Sequence, residues 1–77
     1  MSVEAYVFVE CDHGKSREVG NVIEKITGVE STKIVTGPYD IIVLVVASNF
    51  KVLGDVVIKK IQAIQGVKRT LTNVIIE

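Results

Sequence analysis

The segment Ile41–Ala47 is the feature of this sequence that most restricts how the chain folds. Its seven residues, Ile-Ile-Val-Leu-Val-Val-Ala, are all apolar and most are β-branched, which is typical of a buried β-strand. Successive residues of a strand point to opposite faces of the sheet, so both faces of this strand are apolar. Both faces of any sheet that contains it therefore have to be covered, by helices of the same chain or by another molecule.

The rest of the chain supplies three further strands and two helices. Strands are indicated by alternating apolar and polar residues, and helices by apolar residues that recur three and four positions apart. Gly28 and Gly66 are expected to end the helices, and Asn49 is expected to cap the start of the second. The predicted order is strand 3–10, a helix from Lys15 to Gly28, strand 29–36, strand 41–47, a helix from Asn49 to Gly66, and strand 67–76.

This order, β-α-β-β-α-β, predicts an α+β domain of the ferredoxin-like class, with a four-stranded antiparallel sheet and both helices on one face. Gly20 and Gly54, inside the helices, are expected to allow close approach to the sheet. The other sheet face has no helix, yet it carries Tyr6, Phe8 and half of the apolar third strand. An apolar surface of this size is rarely left in water. We therefore predict a homodimer that packs sheet against sheet as a dimeric α/β barrel.

Length and composition limit the classes of function. The 77 residues allow one domain, 1–77. Lysine plus arginine and aspartate plus glutamate each number 9, so the net charge is zero, which argues against direct binding of nucleic acid. The longest apolar run is far shorter than the roughly 20 residues of a membrane-spanning helix, so no membrane association is expected. The N-terminus lacks a secretory pattern and there is a single cysteine, which favours the cytoplasm.

Catalytic and metal-binding patterns are weak. Cys11, Asp12 and His13 are adjacent, whereas zinc sites usually need spaced pairs of ligands, so neither a metal nor another cofactor is expected. A catalytic serine needs a histidine as its base, and His13 is the only histidine of the chain. The sequence therefore gives little support to nucleophilic catalysis by a serine. Asp40 and Glu10 are the candidate bases if the chain is instead a small dimeric α/β-barrel enzyme of the isomerase or monooxygenase type. We expect a protein that is not an enzyme.

Two polar clusters are candidates for ligand binding. The turn 36–40 combines a glycine, a proline, a tyrosine and Asp40; its exposed amides suit a carboxylate, and Asp40 suits an ammonium group. In the last strand Thr70 and Thr72 share a face, so two hydroxyl groups project together. Taken separately, the first is an ordinary hairpin turn and the second a half-exposed strand. Taken together, they fit a small zwitterion.

The same residues carry a family resemblance. Gly28-Val29, the turn Thr36-Gly37-Pro38-Tyr39-Asp40 before an apolar strand, and Gly66-Val67 leading into Thr70-Leu71-Thr72 resemble the effector domain of the Lrp/AsnC transcription regulators, also called the regulation-of-amino-acid-metabolism domain. The resemblance implies a homodimer that assembles into tetramers, octamers or decamers. It also implies small effectors, usually amino acids, bound in clefts between dimers.

By this resemblance, Gly37, Tyr39 and Asp40 match the effector loop of the family, and Thr70 and Thr72 match its last-strand motif. Full-length members also carry an N-terminal helix-turn-helix domain, whereas the first strand here starts at Val3. We therefore expect a stand-alone effector domain that does not bind DNA directly and that modulates full-length Lrp/AsnC-type regulators by joining their assemblies. A purely structural oligomer without a ligand is the remaining alternative.

Overall fold

The predicted fold is confirmed by the computed structural model, which describes residues 2–77. Four strands form one antiparallel sheet in the order β2-β3-β1-β4. The strands are β1 (Val3–Cys11), β2 (Val29–Ile34), β3 (Ile41–Ala47) and β4 (Val67–Val74). Helix α1 (Ser16–Ile23) connects β1 to β2. The connection from β3 to β4 contains α2 (Phe50–Val52), a π-helical segment (Leu53–Ile58) and α3 (Lys59–Gln62).

The core lies between the helices and one face of the sheet. The strands contribute every second residue, and the helices contribute one apolar stripe each. One cluster of buried side chains results, drawn from β1 (Ala5, Val7, Val9, Cys11), β3 (Ile41, Val43, Val45, Ala47) and the helical segments (Val19, Ile23, Leu53, Val57, Ile61). This is the helix-facing side of the sheet.

The opposite side, here called the open face, is apolar as predicted. In β3 it carries Ile42, Leu44 and Val46, which are only half-buried. In β1 it carries Tyr6, which is 44% exposed, and Phe8, which lies opposite Ile42. The covering of this face by a second copy stays a prediction.

The second helix differs from the regular α-helix that the spacing predicts. Its buried residues Leu53, Val57 and Ile61 recur strictly every four positions, whereas an α-helix turns once in 3.6 residues. A stripe with this spacing drifts off the core in a regular α-helix. The wider turn of the π-helical segment, with its i→i+5 hydrogen bonds, brings the three side chains back over the sheet.

Some element ends also differ from the prediction. Strand β1 extends through Cys11, which lies opposite Val67 after a register shift, so Cys11 belongs to the strand and not to the following loop. Helix α1 ends at Ile23 with Glu24 as its C-cap, and α3 ends at Gln62 with Ala63 as its C-cap, so the prediction that Gly28 and Gly66 end the helices is wrong. After Glu24, the amides of Lys25 and Ile26 bond to carbonyls three residues back, which tightens the chain into a turn before Gly28 is reached.

The glycines of the helices have different surroundings. A Cβ at Gly20 would lie 3.6 Å from Ile34 Cδ1, an ordinary van der Waals distance, so α1 contacts β2 here but the contact does not require glycine. A Cβ at Gly54 would meet nothing within 4 Å, so the predicted close approach is wrong there. Gly28, by contrast, has φ +100°, and a Cβ would lie 2.8 Å from Val57 Cγ2.

We predict that Gly54→Ala stabilises the domain by about 0.5–1 kcal/mol, because alanine loses less backbone entropy in a helix and has room for its methyl group. Gly28→Ala is the matched comparison and should destabilise the domain by more than about 1 kcal/mol. The positive φ of Gly28 is strained for alanine, and the added Cβ would clash with Val57. Urea unfolding of the two variants measures both changes. Equal effects of the two substitutions would contradict this account.

Candidate functional site

The loop 35–40 is fastened to two strands at its Asp40 end. The amide of Asp40 donates to the carbonyl of Val9 at 2.9 Å, and its carbonyl accepts from the amide of Val35 at 2.9 Å. Asp40 therefore ties the end of β1 to the chain that leaves β2. The tip of the loop, residues 36–38, is exposed.

The side chain of Asp40 adds a third anchor. Its Oδ2 accepts a hydrogen bond of 2.8 Å from the amide of Cys11, at the end of β1. The second oxygen of a carboxylate retains acceptor capacity. Asp40 thus holds the loop in place with one oxygen and has the other for a hydrogen-bond donor such as an ammonium group.

Tyr39 lies on the open face. Its ring packs against Phe8, with centroids 5.7 Å apart and planes tilted by 52°. These two rings, together with Ile42, Leu71 and Pro38, line an open apolar hollow of about 310 Å³. The sequence singled out Tyr39, and the structure adds an apolar surface beside it.

Gly37 supplies backbone at the exposed tip. Its φ is +137°, and a Cβ there would meet nothing within 4 Å. The steric demand for glycine at this position comes from the backbone conformation and not from crowding. A ligand can therefore approach the main chain of the tip directly.

Thr70 and Thr72 lie on the helix-facing side of the sheet. Thr70 is opposite Val9 and Thr72 is opposite Val7, and both valines are buried under the helices. The Oγ1 of Thr70 accepts a hydrogen bond of 3.1 Å from Gln62 Nε2, at the end of α3. Thr72 is exposed. The two hydroxyl groups thus share a face, as the strand period predicts, next to an amide that the sequence reasoning did not include.

The two candidate clusters are not brought together within one chain. Tyr39 is on the open face, whereas Thr70 and Thr72 are on the helix-facing side, and β1 lies between β3 and β4. Neighbouring strands are about 4.8 Å apart, so the backbones of Asp40 and Thr70 are separated by about 10 Å across β1. A small ligand cannot contact Tyr39 and both threonine hydroxyls of the same subunit.

An ion pair borders the apolar hollow. Arg69 Nε donates to Glu10 Oε1 at 2.5 Å, and the hydrogen bond and charge of Glu10 raise the pKa of Arg69 above its ordinary value. Lys68 Nζ lies 3.9 Å from the other oxygen of Glu10. The sequence does not identify Gln62, Phe8 and Arg69 as neighbours of the site. Phe8 and Arg69 come close to it through strand pairing, and Gln62 through the turn between α3 and β4. Neither kind of contact can be recognised from a local sequence pattern.

Two further observations concern other kinds of site. Among residues 2–77, no group of three or more histidine, cysteine, aspartate or glutamate side chains is arranged to hold a metal ion. Within the same part of the chain, none of the helices combines the length and apolar character needed to cross a membrane.

Comparison with known proteins assigns a family to this fold and loop. A model of the Lrp/AsnC ligand binding domain matches residues 4–77. The chain belongs to this family. An uncharacterised helix-turn-helix transcriptional regulator of Pyrococcus furiosus is 36% identical over an alignment of 77 positions. The alignment covers 96% of this chain and 51% of that protein. The chain thus spans about half the length of the curated relatives it matches.

Solved structures of similar proteins fall into two lengths. A protein of Thermus thermophilus, TTHA0845, has a TM-score of 0.90 with 31% identity, and the match covers 97% of this chain and 94% of that one. AsnC of Escherichia coli has a TM-score of 0.89 with 22% identity, and the match covers 97% of this chain and 51% of AsnC. The Lrp/AsnC fold is therefore the same in a protein of similar size and in one about twice as long.

The family assignment bears on the two functional alternatives from the sequence. The matched model describes a ligand-binding domain, and the curated relatives are transcriptional regulators. Domains of the Lrp/AsnC family are therefore regulatory ligand-binding domains. Nothing in these comparisons supports the isomerase or monooxygenase alternative.

Cys11, next to the Asp40 anchor, provides a probe of this end of the site. Burial raises the pKa of its thiol from 9.0 to about 11, and the negative charges of Asp40, Asp12 and Glu10 add to the effect. The thiolate is the reactive form. We predict that alkylation of the folded domain by iodoacetamide rises with pH around 11, whereas the chain unfolded in urea shows a midpoint near 9.

The same shift makes stability depend on pH. Above pH 9 the unfolded chain loses the thiol proton while the folded chain keeps it until about pH 11, so the free energy of unfolding should fall between these values. Cys11→Ala removes this contribution and is the matched control. Coinciding alkylation midpoints in the folded and unfolded chains would contradict the described burial of the thiol.

Proposed function

We propose that this Lrp/AsnC domain binds a small metabolite, in the first instance an amino acid, and that binding changes how it assembles with itself and with related regulators. The loop that contains Gly37, Tyr39 and Asp40 forms one half of the site. Thr70 and Thr72 form the other half. The whole domain, residues 1–77, acts as one effector-binding and oligomerisation unit in the cytoplasm.

The chemistry of the loop supports a zwitterionic ligand. The exposed backbone around Gly37 offers amide donors to a carboxylate. Asp40 has one oxygen bound to the Cys11 amide, and the other is available to an ammonium group. The threonine hydroxyls both donate and accept hydrogen bonds. An α-amino acid presents the complementary groups on one carbon atom.

The position of the two halves supports a site shared between subunits. Because Tyr39 and the threonines lie on opposite faces of one sheet, a ligand that contacts both halves has to lie between the loop of one subunit and β4 of another. Ligand binding and oligomerisation are then linked, since the ligand stabilises the assembly that completes its site.

The open face supports a sheet-to-sheet homodimer. Tyr6 and Leu71 are 44% and 46% exposed on it, and Ile42, Leu44 and Val46 lie between them and β2. Burying this area in an obligate interface adds apolar stabilisation to a chain too short for a large core of its own. The dimer is the unit from which tetramers, octamers or decamers would be built.

The relatives support an action on transcription. Three curated relatives from Pyrococcus are helix-turn-helix transcriptional regulators, and one structural neighbour, from Neisseria meningitidis, is a transcriptional regulator in complex with L-methionine. If this domain has the same dimer surfaces as its relatives, it will form mixed assemblies with such regulators. It would then act through them and not by contacting DNA.

We predict that one or a few chemically related amino acids raise the unfolding temperature. A ligand at 100 times its dissociation constant adds about 2.7 kcal/mol, which shifts a domain of this size by about ten degrees or more. Scanning calorimetry with each of the twenty amino acids at millimolar concentration makes the measurement. An unchanged unfolding temperature with all twenty would contradict amino-acid binding.

Substitutions in the proposed site test whether the rise in unfolding temperature comes from binding at these residues. Thr72→Val and Asp40→Asn should each reduce the affinity about tenfold, because each removes a hydrogen-bonding group or a charge from the ligand. Thr32→Val is the matched control, since its hydroxyl is buried without a partner among the described residues and lies opposite Val43 in the core. An equal loss of affinity in all three variants would overturn the assignment of the site.

A further inference from the structure

The open face carries two charges that have no partner within the subunit. By the strand register and the alternation of side chains, the charged residues on this face are Glu4, Glu10, Lys33 and Arg69. Glu10 and Arg69 bond to each other. Glu4 and Lys33 are exposed, and neither takes part in an ion pair within residues 2–77. An otherwise apolar face thus has one free carboxylate and one free ammonium group.

These two charges are placed symmetrically about Leu44. Lys33 lies opposite Ile42, and Glu4 lies opposite Val46. Ile42 and Val46 are each two residues from Leu44, and β2 and β1 border β3 on its two sides. With strands about 4.8 Å apart and a rise of about 3.3 Å per residue, each charged residue is about 8 Å from Leu44, in opposite directions.

The two charges of one subunit are too far apart to pair with each other, since the same spacings put their Cα atoms about 16 Å apart. A second copy packed on this face changes the situation. A two-fold axis that lies in the interface over Leu44, perpendicular to the line from Lys33 to Glu4, exchanges the two positions. Lys33 of each copy then faces Glu4 of the other.

We infer that Glu4 and Lys33 form two symmetry-related ion pairs across the sheet-to-sheet dimer and that they determine which chains can share it. The inference rests on the dimer proposed above and specifies how its two copies are oriented. Contacts of an isologous interface occur twice, so each dimer contains two of these pairs. Complementary charges at an interface fix its register, and like charges exclude unsuitable partners.

The exposed leucines of the open face agree with this axis. Leu71 lies opposite Phe8, which lies opposite Ile42, so Leu71 is two strands and two residues away from Leu44. In that direction the axis passes close to Leu71, which is 46% exposed. Residues on a two-fold axis meet themselves. Both leucines therefore pack against their own copies, while the ion pairs lie on either side of them.

The orientation of the two sheets also fits a barrel. The axis is inclined to the strands by about 55°, so the strands of the two copies cross close to a right angle, as in orthogonal packing of two sheets. Opposite walls of a β-barrel cross in a similar way, because its strands are tilted by about 35–45°. Both edges of each sheet can meet an edge of the second copy, as closure of the predicted barrel requires.

The chemistry of a suitable partner follows from these pairs. A related chain can share the dimer when it presents an acidic side chain to Lys33 and a basic side chain to Glu4. A chain with the opposite charge at either position places like charges together, which disfavours the mixed dimer. The two residues therefore act as specificity determinants for mixed assemblies.

Exchange of the charges tests the pairing. Glu4→Lys and Lys33→Glu each put two pairs of like charges into their own homodimer, and each should weaken it at least about a hundredfold, since each close charge pair contributes about tenfold or more. An equimolar mixture of the two variants should form a heterodimer, in which one ion pair is native and the other has its charges exchanged. Native mass spectrometry, with one variant labelled with nitrogen-15, distinguishes the heterodimer from both homodimers.

The double variant Glu4→Lys/Lys33→Glu should regain the homodimer, because both pairs are restored with their charges exchanged. Glu24→Lys and Lys25→Glu are the matched controls, since they make the same charge changes at exposed residues after α1 and should leave the dimer unchanged. A dimer of the unmodified chain that survives both single reversals, or a mixture without preference for the heterodimer, would overturn the ion pairs alone. A monomeric unmodified chain would overturn the proposed dimer as well.

Discussion

The structure depends on a strand that is apolar on both sides. Strand β3 buries Ile41, Val43 and Val45 completely under the helices. Its other side chains, Ile42, Leu44 and Val46, are covered only by their neighbours in the sheet. Two helices suffice to cover one face of a four-stranded sheet, so the other face is left over. The proposal of a second copy on this face has its physical origin in this one segment.

The candidate site is built at the end of the same strand. Asp40 comes directly before β3 and fixes the loop to β1 and to the chain after β2 through its amide, its carbonyl and its carboxylate. The loop can therefore offer exposed backbone at Gly37 without being mobile at its base. Tyr39 is held against Phe8, so the loop and the open face form one continuous surface. The proposed ligand on the loop would therefore lie beside the open face, where it could influence how two open faces associate.

Much of the fold follows from the sequence because periodicity in strands and helices depends only on local geometry. The bounds of β3, the cap at Asn49, and the common face of Thr70 and Thr72 were all accessible in this way. The helix ends were not, because the C-caps are Glu24 and Ala63 and neither is a glycine. The π-helical segment was not, because apolar residues four positions apart, such as Leu53, Val57 and Ile61, also occur over two or three turns of an ordinary α-helix, and only the sheet beneath them shows how far the stripe must stay in line. The hydrogen bond from the Cys11 amide to the Asp40 carboxylate joins residues 29 positions apart, and a local sequence pattern cannot predict it. The separation of Tyr39 from the threonines follows from strand order and register, which single-strand patterns leave open.

The central claim is that the open face is covered by a second copy, and the oligomeric state of a variant on that face tests it most directly. Leu44 lies opposite Tyr6 in the middle of the open face, so Leu44→Lys places a charge within the proposed interface. Val22→Lys is the control, because Val22 is already 48% exposed on α1. Sedimentation equilibrium should give a dimer or a multiple of it for the unmodified chain and for Val22→Lys, and a less stable monomer for Leu44→Lys. A stable monomer for the unmodified chain at micromolar concentration, or no effect of Leu44→Lys, would contradict the account.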